Sequence, residues 1–424
     1  MRWSSGLSAV LLLSLAARGG LAWALWDAPP LFDEQGYAAM GAGWVRALSG
    51  LAGGGMDREG LLAAWGYGRW PPLQGLLVGL GTLLGAPRLG AVAVGVATTW
   101  AVSRYGREVA SERVGLVAGL VHALGPSFAF FGVSLWSEGL FALWGVLLLL
   151  AARRAEGSVR WGAATGLFAG LAALTRTAGA PFLLLLPLWL GRTRRGSGVA
   201  ALAVGLALWA PWVGLNAWRT GAPLGPTGGI NLAMGNNPWV ETRLGSSVGD
   251  RASLDRIEEA LRERPLGQGA GEAATRLAAE SVAERPGAAV LRALARARVM
   301  WGPDTFLLRH LRIPVEPLLP EWLFWAALPV VWGTWAALLG GAVLGLRHAR
   351  AHALPLLLVA SSALGPLLTV AHTRFHLPWF TWLLPMIALG WGSRPGPRDV
   401  ILAVGVLLAG WSGVGVLWGW HLGG

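Results

Sequence analysis

The feature that most restricts this chain is a succession of apolar runs separated by breaks that carry arginine. Runs of roughly 16 to 25 residues, about what a helix needs to cross a ~30 Å hydrocarbon layer, occupy 5–26, 88–104, 113–132, 137–152, 160–175, 177–191 and 197–218. Four more follow at 321–346, 353–371, 377–392 and 400–420, and two longer polar stretches, 27–87 and 219–320, interrupt the series. The expected fold is an all-α polytopic membrane protein with about eleven transmembrane helices. Its two long loops are expected to carry short helices.

The chain contains no Lys, so its basic residues are all Arg, and their placement sets an orientation. With Arg2 cytoplasmic and one crossing per run, the inner loops carry Arg104, Arg107, Arg113, Arg153, Arg154, Arg160, Arg192, Arg194, Arg195, Arg347, Arg350, Arg394 and Arg398. The short outer loops carry only Arg176 and Arg374. This is the positive-inside pattern, and it puts both long loops outside as extracytoplasmic regions. The stretch 71–85 is too short for a span, so we read it as a helix at the outer interface, opened by Pro71 and Pro72. A cleaved leader ending near Ala22-Trp23-Ala24 would remove the anchor of this alternation, so the first run is expected to stay.

Composition agrees. Charged residues make up 13% of the chain against about a quarter in soluble proteins, hydrophobic residues make up 54%, and the mean hydropathy is +0.53. Those values exclude a disordered chain, a coiled coil and a nucleic-acid-binding domain, so the net charge of +12 reads as topology and no nucleic acid partner is expected. The 26 Trp suit a protein with many membrane interfaces. With no Cys, chemistry has to come from carboxylates, His, Arg, Tyr or backbone.

Three regions follow: an N-terminal transmembrane module 1–218 that includes the outer loop 27–87, an extracytoplasmic helical region 219–320, and C-terminal transmembrane helices 321–424. Within the second, apolar residues recur three or four apart at 250–264, 271–284 and 290–298, which predicts short amphipathic helices. The Gly- and Asn-rich run 228–238 is expected to form tight turns that expose amides to sugar hydroxyls or an anion, or to be a plain linker.

Asp33-Glu34-Gln35-Gly36-Tyr37 lies just beyond the first crossing. Paired carboxylates at a membrane surface suit removal of a proton from a hydroxyl, and they equally suit the cap of a helix starting at Gln35. The topology brings Ser137-Glu138, Arg176 and Arg374 to the same face. Ionisable groups at the edge of hydrocarbon usually face a cavity or each other, and a guanidinium there can hold a phosphate bidentately or snorkel to the interface. His372 and His376, with Glu138 or Asp33, leave a divalent metal open as a cofactor.

These residues, in order and on one side of the membrane, resemble the GT-C membrane glycosyltransferases of the family 39 type, which include protein O-mannosyltransferases and the aminoarabinose transferase of lipid A. The resemblance runs through Asp33-Glu34 with Tyr37, Pro71-Pro72-Leu73, Tyr105-Gly106-Arg107 with Arg113, Ser137-Glu138, Leu174-Thr175-Arg176, the run 231–238 with Asn231, Asn236 and Asn237, and Arg374 to Pro378 with His376. It implies a GT-C fold and a polyprenyl-phosphate sugar as donor, with its lipid in the membrane and its sugar facing outward. It further implies an inverting transfer to a hydroxyl of an acceptor protein, lipid or polysaccharide, with Asp33 as base beside Glu34. Some members place a Lys before Pro-Pro to contact the donor phosphate. Here Trp70 and Arg69 precede it, so the phosphate ligand lies among Arg374, Arg69 and Arg176. Tyr37, Glu138, Asn231, Asn236, Asn237 and His376 are expected to contact sugar or acceptor. A bacterial inner membrane location with the active site on the extracytoplasmic face follows. The rival readings are a transporter or flippase of lipid-linked sugars, which calls for charge along a midplane path, and a non-catalytic assembly subunit.

Overall fold

The computed structural model describes residues 5–411 apart from 54, 56, 66–69, 226, 241–254, 256, 258, 260–268, 313–320, 350 and 351. Among the described residues the regular structure is helical. Helices α1 (Ser5–Ala24), α2 (Asp33–Ala52), α3 (Arg58–Ala64), α4 (Leu73–Leu83), α5 (Leu89–Val109), α6 (Glu112–Leu124) and α7 (Pro126–Phe131) come first. They are followed by α8 (Glu138–Ala155), α9 (Val159–Thr175), α10 (Phe182–Gly191), α11 (Arg195–Thr220) and α12 (Thr227–Gly235). The chain continues with α13 (Ala270–Glu284), α14 (Pro286–Met300), α15 (Thr305–Arg312), α16 (Glu321–Gly345), α17 (Ala353–Leu368), α18 (His376–Trp391) and α19 (Pro397–Trp411).

Among the described residues, three helices are long and apolar enough to cross a membrane: Ser5–Ala24, Arg195–Thr220 and Glu321–His348, the last including a short 3-10 turn after α16. The other apolar runs form helices of unequal length rather than uniform spans. The run 113–132 breaks into α6 and α7 at Gly125-Pro126, because proline has no N–H to continue the ladder and forces the preceding residue to be extended. Helix α4 starts directly after Pro72, and its 11 residues reach about 16 Å, roughly half of a hydrocarbon layer.

Helices α8 and α18 are buried along almost their whole length and form the centre of the bundle. Trp382 of α18 donates to the Ala142 carbonyl at 3.1 Å and stacks edge-on against Phe141 and Phe182. Only glycine at 145 leaves room for it, since a Cβ there would sit 2.1 Å from Trp382 Nε1. Small residues likewise bring α9 onto α11, where a Cβ on Gly166 would fall 2.2 Å from the Ala201 carbonyl oxygen.

The polar groups separate to the ends of the bundle. At one end Arg104 pairs with Glu108 at 2.8 Å, Arg154 meets the same carboxylate, and Arg194 donates to Gly157 O at 2.7 Å. Arg347 pairs with Asp399 at 3.0 Å. All of these residues come from the loops expected to be cytoplasmic or from the run ends that border them.

One local expectation changes. The run 228–238 does not make a string of turns: Thr227–Gly235 is the helix α12. Packing decides this, because Gly229 lets α12 press on α13, where a Cβ would be 2.1 Å from Gly271 O. Amphipathic helices do form at α13 and α14, while most of 250–264 lies outside the described residues.

Candidate active site

The site is built on the turn that follows α1. Phe32 has φ +52°, a conformation that costs a bulky side chain about 1–3 kcal/mol. Its ring is held by Arg309, 4.3 Å over its face, and by His310 at 5.5 Å. The strained residue turns the chain so that α2 starts at Asp33, placing Asp33 and Glu34 in the first turn where the helix dipole favours anions.

The two neighbours diverge. Glu34 is buried at 4% exposure. Its oxygens accept from Leu135 N at 2.7 Å and Leu31 N at 3.1 Å, and Arg88 lies 3.6 Å away. Arg88 in turn donates to the carbonyls of Leu25, Ala28 and Val133. Gln74 of α4 holds the Leu135 carbonyl at 2.9 Å. Glu34, Arg88 and Gln74 thus fasten the segment 133–137 to the end of α1.

Asp33 instead faces Arg374, whose Nη2 donates to Oδ2 at 2.9 Å. The carboxylate keeps 38% of its side-chain surface exposed, while the guanidinium keeps 8%. Behind it lies Glu138, fully buried at the start of α8, with Oε1 3.4 Å from Arg374 Nε and 2.7 Å from Arg176 Nη1. Arg176 also donates to Ser137 Oγ at 2.9 Å, and the Tyr37 hydroxyl donates to the same oxygen at 3.0 Å. A continuous polar chain therefore runs Asp33, Arg374, Glu138, Arg176, Ser137, Tyr37.

Its electrostatics are internally balanced. Burial alone would lower the Arg176 pKa, but the charge of Glu138, with smaller contributions from Tyr37 and Asp33, outweighs it and the shift is upward. Burial pushes the Tyr37 phenol up to about 12, so it stays a proton donor. Aromatic faces wall the cluster: the Arg374 guanidinium carbon is 3.8 Å from the Trp136 ring centre and 4.9 Å from that of Phe306. Five buried polar atoms here have no hydrogen-bond partner, Arg374 Nε and Nη1, Glu138 Oε1 and Oε2, and Trp136 Nε1; of these, Glu138 Oε1 and Arg374 Nε still face each other in the ion pair.

Other sequence-predicted residues lie apart from this chain. Asn236 donates to the carbonyls of Leu232 and Leu368, and Asn237 to those of Ala233 and Met234, so both amides close helix ends. Asn231 is half-buried on α12. His376 Nδ1 donates to Met300 O at 2.8 Å. His372 packs against Phe306 and Phe375. Arg69 lies outside the described residues. Among the described residues no group of three or more His, Asp or Glu is gathered as for a metal ion.

Sequence reading passed over Arg88, Trp136, Phe306 and Asp304. Asp304 is buried, accepting from Ser127 Oγ at 2.5 Å and from Leu307 N at 3.1 Å, which ties α15 to α7. The one available signal was position: Arg88 opens an apolar run on the expected outer side.

No protein-family model and no curated protein matches the chain. Among solved structures it is similar to the archaeal oligosaccharyltransferase AglB from Archaeoglobus fulgidus, in complex with an inhibitory peptide and a dolichol-phosphate. That match has 16% identity, covers 97% of this chain and 55% of the other, and has a TM-score of 0.46. The chain thus spans about half the length of that protein. It is also similar to ArnT from Cupriavidus metallidurans, in the apo state (17% identity, 92% of this chain and 78% of that chain, TM-score 0.41). The undecaprenyl phosphate-bound ArnT matches with 16% identity over 91% of this chain and 77% of that chain, at a TM-score of 0.40.

Proposed function

We propose that this protein is a glycosyltransferase of the GT-C type that moves a sugar from a polyprenyl-phosphate donor to an acceptor hydroxyl at the outer face of the membrane. One observation carries the reading: a partly exposed carboxylate, Asp33, lies 2.9 Å from a buried guanidinium, Arg374, whose Nη1 has no hydrogen-bond partner.

The chemistry follows from that pair. A donor phosphate competes with Asp33 for Arg374, since a guanidinium fork binds phosphate bidentately. Arg374 then neutralises the leaving group and Asp33 is released. The freed carboxylate takes the proton of the acceptor hydroxyl as its oxygen bonds to the anomeric carbon. The bond from that carbon to the phosphate oxygen breaks, with its electron pair leaving on the phosphate. A phosphate departs as a stable anion, so no second, protonating carboxylate is needed and the anomeric centre inverts. A positioned donor of this kind is worth about 3 kcal/mol in the transition state. Glu138 and Arg176 hold Arg374 in place. Glu34 has both oxygens engaged and acts as a positioning residue.

A transporter would use charge within the bilayer, and the buried Arg18 of α1 is the obvious candidate. Its guanidinium is instead spent on the carbonyls of His122, Ala123 and Phe128 and on Ser14 Oγ. The test is transfer of radiolabelled sugar from a polyprenyl-phosphate donor by the purified chain in detergent. Asp33→Asn is expected to lose at least about a thousandfold in rate with an unchanged melting temperature. Normal turnover in that variant would remove Asp33 from the mechanism, and donor uptake into vesicles without transfer would favour the transporter.

A further inference from the structure

Helix α14, Pro286–Met300, is built inside out. It contains Arg292, Arg296 and Arg298 and no acidic residue. Arg292, Arg296, Val299 and Met300 are buried, whereas Val290, Leu291 and Leu294 are 60%, 57% and 62% exposed. At 3.6 residues per turn the two sets centre about 180° apart. A helix with its apolar face outward and its arginines inward is stable only where hydrocarbon covers the outer face, which places α14 along the membrane surface.

On the inner face the two arginines differ. Arg296 closes two helix C-termini, donating to the carbonyls of Gly235 and Leu367 and to Asn236 Oδ1. Arg292 is 3% exposed, and neither its Nε nor its Nη2 has a hydrogen-bond partner. A buried guanidinium with unmade hydrogen bonds is destabilising in most settings. Its own charge and that of Arg285 make the surroundings more positive, and among the described residues no carboxylate offsets them: burial, then Arg285, lower the Arg292 pKa.

We propose that Arg292, beside Arg296, binds the phosphate of an anionic membrane lipid that reaches it past the edge of α14, while the lipid layer covers Val290, Leu291 and Leu294. The edge formed by Nε and Nη2 matches two phosphate oxygens. The apolar face of the same helix fixes Arg292 at the depth where headgroup phosphates occur. The site is separate from the Asp33–Arg374 pair and does not depend on glycosyl transfer.

The test is thermal unfolding of the full-length chain in nanodiscs of phosphatidylcholine alone or with phosphatidylglycerol, comparing wild type, Arg292→Met and the exposed-arginine control Arg276→Gln. Without a bound anion, Arg292→Met removes an unpaired buried charge and fills its space, so its melting temperature rises above wild type in phosphatidylcholine. With phosphatidylglycerol the order inverts, because wild type and Arg276→Gln gain stability and Arg292→Met does not. Native mass spectrometry is expected to show phosphatidylglycerol retained by wild type and bound about tenfold more weakly by Arg292→Met. Equal retention by all three variants, or no inversion, overturns the proposal. Stabilisation of wild type by inorganic phosphate but not by phosphatidylglycerol overturns the lipid as the source of the phosphate.

Discussion

At the scale of single residues, Asp33 and Glu34 show how neighbours acquire different tasks. Adjacent helical positions point about 100° apart, so one carboxylate reaches Arg374 and the other the Leu135 amide. Glu34→Ala leaves two amides and Arg88 without their acceptor. It is therefore expected to cost about 3–5 kcal/mol in denaturant unfolding, with transfer falling only as far as the folded fraction does. A loss of rate in fully folded protein would instead make Glu34 part of the chemistry. His310 supplies a pH dependence. Burial, opposed by the Phe306 carbonyl and reinforced by Arg374 and Arg309, lowers its pKa from 6.5 to about 4. The unfolded chain then takes up the proton first as pH falls. Stability from this group is complete above about pH 6.5 and declines towards pH 4, by about 3 kcal/mol in all. Replacement by Phe is expected to flatten the melting temperature over that window. Sequence showed the carboxylates and the two outer arginines because such groups are costly beside hydrocarbon. The aromatic wall of Trp136 and Phe306 was not legible, since aromatic residues are frequent in every apolar run and only the folded chain selects which two face Arg374.

At the scale of elements, Gly125-Pro126 and Arg18 form one unit. Ending α6 at Leu124 leaves the carbonyls of His122 and Ala123 without helical donors, and Arg18 reaches them from α1 at 2.9 and 3.1 Å. Glycines make the space: a Cβ on Gly95 or Gly132 would approach Arg18 Nε to 2.3 or 2.4 Å. The hydrogen bonds that Arg292 lacks are here mostly made, so substitution is expected to act in the opposite direction. Arg18→Met should lose about 2–4 kcal/mol in thermal unfolding, and a gain in stability would show that the guanidinium is a burden there too. The break itself could be read from Gly-Pro, but the donor that satisfies it is 105 residues away from Ala123, beyond the reach of any local pattern. The same limit hid α12, where glycines that favour turns in an isolated chain instead permit close contact with α13.

At the scale of the whole molecule, the meeting of helix ends shows which loops share a side, and the arginine-derived orientation says which side that is. Asp33 and Glu34 follow α1, Arg88 precedes α5, Glu138 opens α8, Arg176 ends α9 and Arg374 precedes α18, and ion pairs join them. The Glu34–Arg88 contact means that the segment between α1 and α5 returns to the side it left, as expected if the short α4 does not cross. Arg104, Arg154 and Glu108 gather where α5 ends and α8 gives way to α9, which is the far end of the same helices. Exposed Trp23, Trp218 and Trp322 sit near the end of α1, the end of α11 and the start of α16, and all three belong to the outer interface in this orientation. Because the chain has no Cys, single cysteines report its sidedness directly. Glu284 and Glu156 are both exposed, the first at the end of α13 and the second between α8 and α9. In intact cells a membrane-impermeant maleimide is expected to label the Glu284→Cys variant and to label Glu156→Cys only after permeabilisation. The reverse pattern would put Asp33 and Arg374 on the cytoplasmic side, and with them the polyprenyl-phosphate donor.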